Sequence, residues 1–174
     1  FSSKEEKKMM KKLALPLLAA TVLATAAHAD EREAAAISAF ESYCLASGGD
    51  LGKAIEALDA SDSFEDGRKS GSGSFVYASY LGPDGINASV VIGGSMSDDK
   101  CSIILQNVAD PMALADEMSL DMAKAAGAEP MKWEGFGDYG KGAYGYQRDD
   151  GDVLVAPMTT GISNDIVHIN FYPT

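Results

Sequence analysis

The chain has 174 residues, 14 of them basic and 26 acidic, for a formal net charge of −12, and it carries two cysteines. The first 29 residues hold five lysines against Glu5 and Glu6, so nine basic and 24 acidic residues remain beyond them, a net charge of −15. A surface of that sign repels phosphate backbones and anionic lipid headgroups, which argues against nucleic acid as a partner and leaves basic partners, cations or simple solubility.

The N-terminal segment has the three parts of a secretory signal in the required order. Lys4, Lys7, Lys8, Lys11 and Lys12 form a positive region, Leu13 to Ala27 form an apolar run, and Ala27-His28-Ala29 supplies the small residues a signal peptidase reads. Cleavage is expected between Ala29 and Asp30, with Met9 or Met10 as the expected start of translation. The apolar run is short and alanine-rich, whereas a membrane span needs about 20 strongly apolar residues. No cysteine stands at the cleavage point, so no lipid anchor is expected there. The address is the periplasm of a Gram-negative bacterium, or secretion. Residues 30–174 then form a single α+β domain, long enough to bury about 70% of its unfolded surface.

In an oxidising compartment an even cysteine pair reads first as a disulfide, here Cys44–Cys101. The helical and strand patterns agree with it. Asp30–Ser47 reads as a helix with acidic residues in its first turn and Ile37, Phe40 and Cys44 on one stripe. Gly48-Gly49 ends it, and Asp50 caps a second, short helix with Leu51, Ile55 and Leu58 on one face. The polar, glycine-rich stretch 59–74 reads as a mobile loop. Strands follow at Phe75–Leu81 and Ile86–Ile92, joined by the turn Gly82-Pro-Asp-Gly85, and then at Cys101–Gln106 with Cys101, Ile103 and Leu105 on one face. A helix packed on that face brings the two sulfurs together across the core.

Asp110-Pro111 starts another helix, whose stripe is Leu114, Ala115, Met118, Met122 and Ala125, and which stops at Gly127 and Pro130. The remainder is β: Met131–Glu134, a glycine-rich stretch to Gly142, Ala143–Arg148, Val153–Met158 and Ile166–Tyr172. The order α-α-βββ-α-ββββ predicts a mostly antiparallel sheet with helices on one face. It also hints at a repeated helix-plus-hairpin unit, although no residue-level repeat is visible.

No motif names a reaction. His168 is the one histidine beyond the leader; Asp165 lies three residues upstream, on the opposite face of a strand, and no Gly-x-Ser-x-Gly elbow is present. Met118 and Met122 stand one helical turn apart, which suits a soft metal ion or, more plainly, core filling. The acidic groups at 59–66 and 149–152 lack the spacing of a calcium loop. The most distinctive pattern lies in the last strands. Tyr144, Tyr146 and Arg148 share one face of their strand, and His168, Asn170 and Tyr172 share one face of theirs. Were those faces the same, they would form a Tyr-Arg-His patch suited to a protein or peptide ligand. The plainer account is that the tyrosines cap the core edge. The sequence thus points to a small exported, non-enzymatic binding module with no cofactor and no metal, its partner a periplasmic protein or peptide. The alternatives are an enzyme built around His168 and a periplasmic metal-handling protein.

Overall fold

The computed structural model describes residues 31–94, 98–132, 144–158 and 165–174. The chain divides into two compact units, Phe1–Ala35 and Ala36–Thr174. In the first, residues 31–35 are helical. The second opens on helix α1 (residues 36–39), which widens at Phe40–Cys44 into a π-type turn where the Leu45 amide reaches the carbonyls of Glu41 and Phe40. A 3-10 turn, Leu45–Ser47, follows, and Gly48 stops it at φ 59°, a left-handed conformation open to glycine because it lacks a Cβ. The Asp50 carboxylate accepts from the amides of Gly52 and Lys53 and so starts α2 (Leu51–Asp59), which buries Leu51, Ala54 and Leu58. The third helix, α3 (Pro111–Ala125), starts in the same way, with Asp110 accepting from the Ala113 amide and proline in the first turn.

Among the described residues eight strands form one antiparallel sheet: β1 (Glu65–Ser72), β2 (Phe75–Leu81), β3 (Ile86–Ile92), β4 (Lys100–Leu105), β5 (Met131–Lys132), β6 (Tyr144–Arg148), β7 (Gly151–Met158) and β8 (Ile166–Pro173). Their order across the sheet is β1-β2-β3-β4-β8-β7-β6-β5. That order is a palindrome. Each half is a helix followed by a four-strand meander, and the halves meet where β4 pairs antiparallel with β8. β1 and β5 begin 66 residues apart, as do β4 and β8. Helix α2 lies against β3 and β4 and helix α3 against β6, β7 and β8, so each helix covers strands of its own half. The two halves thus share one topology, a helix followed by four strands rather than the helix-plus-hairpin unit that the order of elements hinted at.

The stretch 59–74 is not a loop: α2 continues to Asp59, and β1 occupies most of the rest as an edge strand paired with β2. All eight residues of β1 are exposed, so burial imposes no apolar alternation and the sequence pattern gave no strand signal. Hydrogen bonds define it instead. The Arg68 amide donates to Ser79 Oγ, which itself donates to the Arg68 carbonyl. The element order is accordingly α-α-ββββ-α-ββββ. Further differences are local. Ala125 is exposed, and α3 buries Ala115, Met118, Ser119, Met122 and Ala123. β7 begins at Gly151, which leaves a two-residue turn, Asp149-Asp150, after Arg148. The expected strand residues Trp133, Glu134 and Ala143 and the glycine-rich stretch 135–142 lie outside the described residues.

The core sits between the helices and one face of the sheet. Cys101, Ile103 and Leu105 of β4 and Val167, Ile169 and Phe171 of β8 all point into it, with Ala36, Phe40 and Cys44 above them. The disulfide Cys44–Cys101 joins the π-type turn that follows α1 to β4, with the Cα atoms 5.4 Å apart, and both cysteines are fully buried. Among the described residues no helix is long and apolar enough to cross a membrane.

Candidate functional site

Between α1, α3 and β6 lies a cleft of about 410 Å³ lined by Ile37, Glu41, Leu45, Asp121, Met122, Ala125, Ala126, Tyr146 and Arg148. Its make-up follows from periodicity. Ile37, Glu41 and Leu45 stand four residues apart and share one side of the first helical segment, while Asp121, Met122, Ala125 and Ala126 share one side of the end of α3. Tyr146 and Arg148, two apart on β6, both point toward the helices. The walls are aliphatic, the polar groups few, and the volume lies within the range of small-ligand pockets.

Tyr146 is 2% exposed, packs in the main core and lines the cleft. Burial pushes its phenol pKa up; the Arg148 charge opposes that, and Glu41 and Asp150 add to it. Arg148 is held in a bidentate pair, Nε to Asp150 Oδ1 at 2.8 Å and Nη2 to Oδ2 at 3.3 Å. This pairing raises the guanidinium pKa and holds the Asp150 carboxyl below its usual value. A second, more open hollow of about 740 Å³ adjoins the first and shares Ala126 and Arg148 with it. Its remaining lining is Gly127, Ala128, Glu129, Met131, Gln147, Asp149 and Asp150.

The structure separates the two triplets that the sequence suggested as one patch. Tyr146 and Arg148 pair with Val153 and Gly151 on the helix side of the sheet, and half-buried Tyr144 pairs with Val155 and Lys132. His168, Asn170 and Tyr172 pair with Ala156, Leu154 and Asp152, and so lie on the opposite face. The register explains the split: Val153 and Val155 belong to the core under the helices, whereas Leu154 and Ala156 form a small cluster on the other side with Tyr172 against them.

On that other face Ser102 Oγ donates to Asn170 Oδ1 at 2.7 Å, both residues being buried, and Asn170 Nδ2 has no partner among the described residues. Lys100 Nζ stands 5.9 Å from the centre of the Tyr172 ring. Burial pushes the Lys100 pKa down, with Asp98 opposing. His168 falls to about 4 through burial first and the Lys100 charge second, so its imidazole is neutral at pH 7. Met118 and Met122 are both buried among core residues. Among the described residues no cluster of three His, Cys, Asp or Glu side chains is placed to hold a metal.

Glu41, Leu45, Asp121 and Ala126 did not emerge from the sequence as site residues. The signal that marks the first two is the run Ile37, Glu41, Leu45, one polar position inside an otherwise apolar stripe. No protein family, curated protein or solved structure matches the chain.

Proposed function

We propose that this chain is a small exported binding module whose ligand occupies the cleft between α1, α3 and β6. An apolar group of the ligand packs between Leu45, Met122 and Ala125, and a polar group bonds the Tyr146 hydroxyl. The cleft itself carries the reading: an aliphatic-walled hollow of about 410 Å³ on which a few polar side chains, Tyr146 and Arg148 among them, converge. Export is supported by the tripartite leader and by the joined cysteines, since disulfides form and persist in oxidising compartments.

Two measurements test the proposal. A thermal-shift screen of short peptides against the wild-type protein and Ala125→Trp, which fills the cleft from an exposed helix position, should find stabilising peptides whose effect is lost in the variant. A shift of equal size in both would remove the cleft from consideration. N-terminal sequencing of protein from a fractionated bacterial cell should begin at Asp30. Uncleaved chain in the cytosol with both thiols free to titrate would end the export reading.

A further inference from the structure

Resting on that reading of the cleft, we infer that the ligand is a peptide segment that carries an apolar side chain followed by basic ones, laid along the two adjoining hollows as one track. The hollows share Ala126 and Arg148, so an extended chain bonded to Tyr146 in the first passes Arg148 and enters the second. Their electrostatics are one-sided. Among the described lining residues, Glu41, Asp121, Glu129, Asp149 and Asp150 stand against a single cation, Arg148, whose charge is already matched by the bidentate Asp150.

The end of α3 adds to the same sign. The helix stops at Gly127, with φ 65°, and the amides of Ala126, Gly127 and Ala128 turn back onto the carbonyls of Met122, Lys124 and Ala123. The negative end of the helix dipole therefore faces the second hollow, where Ala126, Gly127 and Ala128 form part of the lining. A basic side chain entering there meets Glu129, Asp149 and the helix end together, while an acidic one is repelled by all three. The first hollow is aliphatic apart from Tyr146 and its rim. Apolar then basic is thus the order of side chains that the track accepts.

Fluorescence anisotropy of the oxidised full chain with three labelled tetrapeptides, Leu-Leu-Lys-Lys, Leu-Leu-Gln-Gln and Leu-Leu-Glu-Glu, tests the inference. The lysine peptide should bind at least about fivefold more tightly than the glutamine peptide, and the advantage should shrink as salt rises from about 20 to about 200 mM. Glu129→Gln with Asp149→Asn, both at exposed positions, should erase that advantage. Tyr146→Phe should weaken both peptides alike. Equal binding of the lysine and glutamine peptides, both abolished by Ala125→Trp, overturns the basic preference and leaves the cleft as the site. Lysine-peptide binding that ignores both the acidic-pair variant and Ala125→Trp is adsorption to an acidic surface and overturns the inference. If no peptide binds the wild-type protein, the cleft reading falls with it.

Discussion

Reducing the Cys44–Cys101 bridge is the perturbation whose cost follows most directly from the structure. The bridge closes a loop spanning 57 positions, and the chain-entropy relation gives about 4 kcal/mol for a loop of that size. Both cysteines are fully buried between α1 and β4, so two separated thiols need more room than a bonded pair in a close-packed core, which adds to the loss. Domains of this kind have about 5–15 kcal/mol of total stability, so reduction removes a large share. Urea unfolding followed by far-ultraviolet circular dichroism, with and without a strong reductant, measures the difference. The reduced protein should lose at least about 4 kcal/mol and show a steeper urea dependence, because the unlinked unfolded chain exposes more surface. Cys44→Ala with Cys101→Ala should behave like the reduced wild type to within about 1 kcal/mol, the residual being the cavity left by the sulfurs. The buried bridge should also resist reductant until urea opens the core. Oxidised and reduced unfolding free energies within about 1 kcal/mol of each other would refute the reasoning.

Tyr80 is buried and its hydroxyl donates to Asp59 Oδ1 at 2.7 Å, so Tyr80→Phe should cost about 1 kcal/mol in urea unfolding at neutral pH. Asp59 is held below its usual pKa by Lys69 first and Tyr80 second, a contribution present above about pH 4 and lost as pH falls through the depressed folded value. The variant should therefore differ less from wild type in acid than at pH 7. His168 shifts the other half of the pH scale. Its folded pKa of about 4 lies below the unfolded 6.5, so the native state binds fewer protons and stability falls as pH drops from about 6.5 toward 4. His168→Gln should flatten that limb, and NMR of the imidazole should show no titration at pH 6; a midpoint near 6.5 would contradict the burial. Gly145 of β6 sits where an added Cβ would meet the Val153 carbonyl oxygen at 2.1 Å, a clash with backbone. Gly145→Ala should consequently destabilise the domain by more than about 2 kcal/mol in the same urea assay.

What the sequence revealed depended on burial. Cys101, Ile103 and Leu105 alternate because one face of β4 meets the helices, and Val167, Ile169 and Phe171 do so for the same reason, so these strands were legible. β1 was not, because Glu65–Ser72 is exposed throughout and its ladder to β2 is written in backbone hydrogen bonds. The site was half legible. Tyr146 and Arg148 stood out by type and spacing, but whether they share a face of the sheet with His168 depends on strand order and register, and neither is encoded locally. Alternation along one strand assigns its residues to two faces without saying which face is which on the next strand. The walls contributed by the first helical segment and α3 required knowing that residues about 80 positions apart, such as Glu41 and Met122, line one cleft.

The palindromic sheet has a consequence for how such a chain is put together. A fragment ending after β4 presents that last strand as an open edge, and a second copy turned through half a circle offers the complementary one. Joining two such halves through the link between β4 and α3 makes their meeting independent of concentration. The halves differ in what they carry: the first is tied covalently to the segment ahead of it, while the second holds Tyr146, Arg148 and Asp150.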